Sequence, residues 1–339
     1  MAKLVLGIGT SHTPMLTLES HDWEHRAAAD YQNPTLNLSD GRWVNYEELL
    51  AEVGPRYEAV ANVRELARQA QICEHALDRL SAALLAVNPD LAIIIGDDQE
   101  ELFTPGNNPA LAIFYGAEIK TSDKYGRPGL PAWMRTVSLG YSMDRLHTFP
   151  GAPGFASELI VGLTDRHVDV AACARVEHSP QSGFGHAFGF VIQRLFGGRA
   201  IPVVPILLNT YFPPNVPTAA RCLDIGKALR EIIDANRSDA RVAIVASGGL
   251  SHFVVDEELD RRVLEGLRPG NHELLRNIPR GALNSGSSEI LNWVLMAGAL
   301  GGLRQQWLEY QPIYRTPAGT GVGVAFGSWS EDEGRAHAD

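Results

Sequence analysis

Residues 4–14 read Leu-Val-Leu-Gly-Ile-Gly-Thr-Ser-His-Thr-Pro, an apolar segment that runs directly into a polar one. Residues 4–8 predict a short buried strand, because a strand covered on both faces is apolar at nearly every position. His12 follows after a few small residues, so the strand delivers its imidazole to the carboxyl edge of a sheet, where open α/β folds bind ligands. For one isolated histidine, a turn hydrogen bond is the plainer interpretation.

Five further apolar runs of this kind recur along the chain, at residues 91–96, 168–173, 201–208, 242–246 and 322–326. Helical spacing of Leu, Ala and Val lies between most of them and predicts helices at residues 56–87, 188–196, 219–236, 256–267 and 287–300. This alternation favours an α/β fold with a mixed central sheet flanked by helices. We predict a single catalytic domain over residues 1–330 and a flexible C-terminal tail over residues 331–339.

Two segments interrupt the alternation. Residues 21–45 are polar with two Trp, and residues 104–153 are rich in Gly and Pro. Both are too long for plain connections, so we interpret them as long loop insertions near a functional site.

Composition narrows the function. The 339 residues are 45% hydrophobic and 20% charged, as in a globular protein, and carry a net charge of −11. Such a charge disfavours binding to nucleic acid or to an anionic membrane surface. The start of the chain turns polar too soon for a signal peptide. The three cysteines, Cys73, Cys173 and Cys222, are widely spaced, which fits a reducing compartment. We therefore expect a cytoplasmic enzyme.

Two further places repeat the geometry of His12. The run at residues 242–246 leads through two glycines to Ser251 and His252, and Glu289 stands in the first turn of a predicted helix. Each has a structural interpretation on its own, since Ser251 suits a helix cap and Glu289 complements a helix dipole. Two histidines and one carboxylate at such positions together predict a metal site, in the arrangement typical of non-haem Fe(II) enzymes.

An acidic cluster, residues 97–101, follows the second strand; a solvated loop is its plainer interpretation. His178 in a predicted loop and His186 on a predicted helix are candidates for a general acid or base. A complete dinucleotide fingerprint, a phosphate-binding loop and a nucleophile elbow are all missing from the sequence.

Several motifs together resemble the class III extradiol ring-cleavage dioxygenases of the protocatechuate 4,5-dioxygenase catalytic-subunit type. They are GIGTSHTP at residues 7–14, YFPP at 211–214, SGGLSHF at 247–253, GSSEILNWVLMAGAL at 286–300 and YRTPAGTG at 314–321. The resemblance spans residues 3–327, and GDDQ at 96–99 with GHAFGF at 185–190 is most similar to the 3-O-methylgallate and gallate dioxygenase branch.

The resemblance implies roles for individual residues. His12 and Glu289 match ligands of Fe(II), His252 matches the catalytic acid/base, and His178 matches a second catalytic histidine of the substrate pocket. Gln99 stands where the family has its other histidine ligand, in register with Phe103. We predict that Gln99 ligates the metal through its amide oxygen. Asp98, Glu101 and His186 are the alternatives.

The same resemblance predicts the partners. These are a small aromatic diol of the catechol or gallate type and O2, and we take a homodimer as the default assembly. We expect the substrate to contact Ser11, Thr13, His186, Tyr211 and Ser251. A carboxylate on the ring would need a cation, for which Arg175, Arg304 and Arg315 are candidates. A zinc-dependent hydrolase or lyase, and a non-catalytic relative that lost a metal ligand, are the competing hypotheses.

Overall fold

The strands form a mixed sheet whose centre is parallel. A computed structural model describes residues 1–124, 129–179 and 181–331. The strands in these residues are β1 (Lys3–Thr10), β2 (Leu36–Asn37), β3 (Trp43–Val44), β4 (Leu91–Asp97), β5 (Leu111–Phe114), β6 (Glu118–Lys120), β7 (Thr148–Pro150), β8 (Ala171–Cys173), β9 (Val203–Leu208), β10 (Arg241–Ser247), β11 (His252–Val254), β12 (Arg304–Tyr314) and β13 (Thr320–Ser330). Within the described chain, nine of them pair in the order β11-β13-β1-β10-β4-β9-β5-β8, with β12 also on β13. Strands β1, β10, β4 and β9 are parallel neighbours, whereas β13 runs antiparallel to β1.

Helices cover both faces of this sheet. They are α1 (Glu24–Asp30), α2 (Tyr46–Val53), α3 (Val63–Val87), α4 (Ala132–Gly140), α5 (Pro153–Thr164), α6 (His186–Leu195), α7 (Ala219–Ala235), α8 (Glu257–Gly266), α9 (His272–Arg276) and α10 (Ile290–Leu300). Short 3-10 turns lie at Pro14–Thr17, Ser20–Asp22, Arg280–Ala282 and Ser285–Glu289. Alternate residues of β4 show the layering: Ile93 and Ile95 pack in the core with α7 and α10, and Ile94 packs in the core with α3 and α6. The predicted α/β class with a mixed, helix-flanked sheet is confirmed.

Several predicted boundaries differ from the structure. The helix predicted from residue 56 begins at Val63, because the Asn62 side chain accepts a hydrogen bond from the Glu65 N–H and caps it there. The strand predicted from residue 168 begins at Ala171. The helix predicted from residue 287 is a 3-10 turn up to Glu289 and α-helical from Ile290.

Strands β5 and β12 were not among the predicted runs. Strand β12 pairs with β13 alone in the described sheet, and most of its side chains are half-buried or exposed. An edge strand of this kind needs no continuous apolar run, so its sequence gives a weak signal.

Both predicted insertions reach the site described below. Residues 21–45 form α1 and the β2–β3 pair, and the described part of residues 104–153 includes α4. Residues 125–128 and most of the predicted tail, 332–339, lie outside the described residues, so the boundary at residue 330 stays a prediction. No described helix is long and apolar enough to cross a membrane.

Candidate metal centre

Parallel strands bring several polar residues to one edge of the sheet. Thr10 at the end of β1 lies beside Ser247 at the end of β10, and β4 on the other side of β10 ends at Asp97. His12 follows β1 by two residues. The carboxyl ends of these strands therefore gather His12, Asp97 and Ser247 at the edge where α/β sheets bind ligands.

Four buried side chains converge there. His12, Asp97, His186 and Glu289 each offer one ligand atom, and these atoms all lie within 4.8 Å of one another. His186 is the first residue of α6, and Glu289 is the last residue of the 3-10 turn before α10. The cluster thus combines two strand ends with two helix starts, and its members are far apart in the sequence.

The hydrogen bonds of His12 fix which ring nitrogen is available. Its Nδ1 lies 2.9 Å from Ser247 Oγ, and that hydroxyl donates to the Ala187 carbonyl at 2.7 Å. The hydroxyl proton is thus committed, so the His12 Nδ1–H must donate to Ser247 Oγ. The neutral ring then presents a bare Nε2 lone pair to the cluster, as a metal ligand requires. Tyr141 helps to hold the loop, donating to the His12 carbonyl at 2.6 Å.

His186 is held in the same manner by a carboxylate. Its Nδ1 lies 2.9 Å from Glu101 Oε1, while its Nε2 points toward the cluster, 4.0 Å from Asp97 Oδ2. A carboxylate that receives the Nδ1–H of a ligating imidazole is the usual support of a metal-bound histidine. Burial favours the neutral ring, but the carboxylates of Glu101, Asp97 and Glu289 outweigh it and raise the pKa of His186 to about 9.

Glu289 is anchored at the centre of the cluster. Its Oε2 accepts a hydrogen bond from the Gly249 N–H at 2.7 Å and lies 3.4 Å from His12 Nε2 and 3.6 Å from His252 Nε2. Burial opposes ionisation, but the imidazoles of His252, His12 and His186 outweigh it, so the pKa of Glu289 is lowered. Glu289 is therefore ionised at neutral pH, as a ligand carboxylate must be.

His252 stands at the rim of the cluster with a defined tautomer. Its Nδ1 lies 2.9 Å from the Leu250 carbonyl, which can only accept, so Nδ1 carries the proton and Nε2 faces the cluster. The ring packs so closely that a Cβ on Gly249 would lie 2.3 Å from His252 Cε1. A glycine is required at this position because any side chain would collide with the ring. Nε2, which carries no proton in this tautomer, can act as a base toward a bound ligand.

The donor set fits a divalent cation. His12 Nε2 and Asp97 Oδ1 are buried and have no hydrogen-bond partner among the described residues. Burial, with the nearby Glu289, raises the pKa of Asp97. Unpaired buried polar atoms and clustered carboxylates are costly unless a cation neutralises them. Two imidazoles with carboxylates suit Fe(II), Mn(II) or Zn(II).

Gln99 lies beside the cluster. It lines the cavity described below, and its amide nitrogen donates to Asp97 Oδ2 at 3.1 Å, so ligation by Gln99 stays a prediction. Asp98 accepts hydrogen bonds from the backbone N–H groups of Leu102 and Phe103, and burial raises its pKa to about 7. Glu101 supports His186. His186 is therefore the alternative that the fold brings into the cluster.

A small cavity of about 120 Å³ opens against these groups. This volume is similar to that of an engineered protein cavity of roughly 150 Å³ that binds one benzene molecule. Thr13 and Tyr211, both predicted to contact substrate, line it, as does Tyr141 from the second insertion. Tyr211 Oη accepts a hydrogen bond from Ser285 Oγ at 3.1 Å. The cavity is of a size for one aromatic ring.

Other predicted residues lie elsewhere. Ser11 Oγ accepts from the Ala325 N–H, Ser251 Oγ donates to Asp260, and neither belongs to the described lining of the cavity. His178 is exposed and lines a separate cavity together with Arg175. Substrate contact by Ser11 and Ser251 and a catalytic role of His178 therefore stay predictions.

Of the arginines proposed to bind a carboxylate, Arg315 lines the cavity, whereas Arg304 begins the edge strand β12. Arg26 of α1 also lines the cavity, although it was not among the predicted site residues. A single arginine in a polar insertion gives no signal in the sequence that would single it out.

Comparison with known proteins places this chain in a family. Residues 63–325 match the catalytic LigB subunit of aromatic ring-opening dioxygenase. The chain is 31% identical over 134 residues to a gallate dioxygenase of Pseudomonas putida, covering 36% of this chain and 38% of that protein. It is 25% identical over 209 residues to a 2,3-dihydroxyphenylpropionate/2,3-dihydroxicinnamic acid 1,2-dioxygenase of Comamonas testosteroni, covering 60% and 56% of the two chains. The matches thus span less than two thirds of these relatives.

Proposed function

This chain belongs to the LigB family of catalytic subunits of aromatic ring-opening dioxygenases, and on that premise we propose that it is a non-haem Fe(II)-dependent extradiol dioxygenase. The substrate we propose is a catechol- or gallate-type aromatic diol, such as 3-O-methylgallate, which is opened with O2. One observation carries the proposal: four buried ligand groups converge within 4.8 Å beside a cavity of a size for one ring.

We assign the metal to His12, His186 and Glu289, with Asp97 beside them. Both imidazoles direct Nε2 toward the cluster because Ser247 and Glu101 receive their Nδ1 protons. Two histidines and one carboxylate on one face of Fe(II) leave positions open for further ligands. In this assignment His186 takes the place of the histidine that the family motif has at position 99, and direct ligation by Gln99 is the alternative to be tested.

Bound Fe(II) would supply Lewis acidity toward the two diol oxygens and the electrons that activate O2. The protein supplies orientation and proton transfer. The cavity walls, including Thr13 and Tyr211, hold the ring against the cluster, which removes much of the entropic barrier to reaction. His252 Nε2, bare and 3.6 Å from Glu289, takes a proton from a diol hydroxyl and later returns it to an oxygen of the opening ring.

The donor set also suits zinc, so a hydrolase or lyase is the main competing function. Oxygen uptake separates the two. Protein loaded with Fe(II) under anaerobic conditions is offered gallate, 3-O-methylgallate and protocatechuate, then air. We expect O2 consumption stoichiometric with the loss of aromatic absorbance, and its abolition in His12→Ala. Bound iron without O2 consumption for any diol would contradict the proposal, and failure to bind iron would favour a non-catalytic relative.

We also propose a cytoplasmic location and a homodimeric assembly. All three cysteines are unpaired thiols, and Cys73 and Cys222 are buried, which supports a cytoplasmic location. A homodimer stays our prediction, and sedimentation at micromolar concentration tests it.

A further inference from the structure

Two guanidinium groups, those of Arg26 and Arg315, line the cavity. Arg315 is buried and forms a two-point ion pair with Asp30, at 2.7 Å from Nε to Oδ2 and 3.0 Å from Nη2 to Oδ1. Thr320 Oγ1 also donates to Asp30 Oδ2 at 2.9 Å. These contacts with Asp30 fix α1 to the β12–β13 hairpin, which gives Arg315 a structural role.

That anchor positions Arg26. Arg26 and Asp30 are four residues apart on α1, so both lie on the same face of the helix. Because Asp30 is held by Arg315, which lines the cavity, the helix face that carries Arg26 is turned toward the cavity as well. Trp23, directly before α1, is buried and donates to the Leu18 carbonyl at 3.3 Å, which fixes the start of the helix. Arg26 itself is half-buried at the cavity wall.

The electrostatics agree with this placement. Burial, with the carboxylates of Glu289 and Asp97, raises the pKa of the Tyr211 hydroxyl, and the positive charge of Arg26 acts in the opposite direction. The metal cluster beside this cavity is rich in carboxylates, with Asp97 and Glu289. An anionic ring substituent would be repelled there and attracted to Arg26.

We propose that Arg26 is a specificity-determining residue that binds a carboxylate substituent of the aromatic diol. The inference rests on the proposed function and narrows it: the preferred substrate is a hydroxylated aromatic acid, and a neutral catechol is the poorer ligand. The planar guanidinium fork matches a carboxylate with two parallel hydrogen bonds. With the carboxylate at Arg26, the diol at the far end of the ring faces the metal cluster.

Matched ligands test the inference, since gallate and pyrogallol differ only by the carboxylate. Their dissociation constants are measured anaerobically on Fe(II)-loaded protein, and kcat and KM are measured in air. Hydrogen bonds to charged groups contribute roughly 1.5–3 kcal/mol, so we expect Arg26→Gln to weaken gallate binding by roughly 10–150-fold. Pyrogallol binding should change by less than about threefold. Arg26→Lys should retain part of the gallate affinity, because it keeps the charge but not the fork.

Controls separate the outcomes. Arg68→Gln, at an exposed arginine of α3 that pairs with Glu65, should leave both ligands unaffected. Equal losses for gallate and pyrogallol in Arg26→Gln would overturn the inference and assign Arg26 a structural role. Unchanged gallate affinity would overturn it too. If wild-type protein turns over pyrogallol but binds gallate no better, the inference fails while the proposed function stands. If wild-type protein turns over neither, both fail.

Discussion

The indole N–H of Trp293 links the core to the metal cluster through a hydrogen bond. The loss of stability on removing this hydrogen bond can be calculated. Trp293 is fully buried on α10, and its Nε1 donates to the Gly248 carbonyl at 2.7 Å. Gly248 precedes Gly249, whose N–H holds Glu289. Trp293→Phe removes this hydrogen bond and leaves the buried carbonyl without its indole donor.

Trp329 on β13 provides a matched control. It is also fully buried, but its Nε1 has no hydrogen-bond partner among the described residues. The same atoms are deleted in Trp293→Phe and Trp329→Phe, so the loss of buried apolar surface largely cancels between them. Leaving a buried polar group unsatisfied costs about 1–3 kcal/mol, and Trp329→Phe removes such a group. Trp293→Phe creates one such group and Trp329→Phe removes one, so we expect Trp293→Phe to be the less stable variant by about 2–6 kcal/mol.

Thermal unfolding measures this difference. For 339 residues the entropy of unfolding is about 0.7 kcal/mol/K, so the two Tm values should differ by roughly 3–9 °C. Trp293→Phe should also weaken Fe(II) binding, since it loosens the backbone that anchors Glu289, whereas Trp329→Phe should not. Equal Tm values, or a lower Tm for Trp329→Phe, would refute the reasoning.

Three further perturbations follow from the contacts. Glu101→Gln weakens the hydrogen bond that orients the imidazole of α6, so Fe(II) affinity measured by anaerobic titration should fall roughly 10–100-fold; unchanged affinity would contradict this role. Gly249→Ala places a Cβ 2.3 Å from His252 Cε1, so we expect kcat to fall sharply while circular dichroism stays native, and unchanged kcat would count against the assigned proton transfer. The hydrogen bond and charge of Arg276 lower the pKa of Asp224, so the pair stabilises the fold above the unfolded pKa and this contribution is lost as pH falls through the folded pKa. Asp224→Asn should lower the free energy of unfolding, measured in urea, by about 0.5 kcal/mol at pH 7; the effect is small because the pair is largely exposed. The difference should shrink as pH falls from 5 toward 3. A difference that does not change with pH would contradict the ion pair as its cause.

Sequence alone predicted the residues whose position follows from strand ends. His12 was predicted to meet other groups because β1 is a continuous apolar run that stops just before it, and parallel strands end at a common edge. The acidic residues after β4 were interpreted as a solvated loop, and this was wrong: Asp97, Asp98 and Glu101 are buried, and Asp97 belongs to the metal cluster. Glu289 came from its helix start and from the family resemblance, and it lies in the cluster.

Tertiary contacts decide what the sequence left open, as for His186, or did not indicate, as for Arg26. Register along the chain pointed to Gln99 as the remaining ligand, but a register cannot show that α6 begins against the end of β4 and brings His186 to the cluster. The sequence did not indicate Arg26, because α1 is a short helix in a polar insertion. It reaches the cavity only because Asp30 meets Arg315, 285 residues further along the chain.

The central claim is that His186 supplies the second imidazole ligand of the metal. Iron binding by three variants tests this claim most directly. Fe(II) content after anaerobic equilibrium dialysis is measured for wild-type protein, His186→Ala, Gln99→Ala and the control His75→Ala, which changes an exposed histidine of α3. We expect one iron per chain in wild-type protein and the control, and affinity within a few-fold of wild type in Gln99→Ala. His186→Ala should lose more than the roughly 10–100-fold that a supporting residue costs. Full iron binding by His186→Ala, together with its loss in Gln99→Ala, would contradict the account.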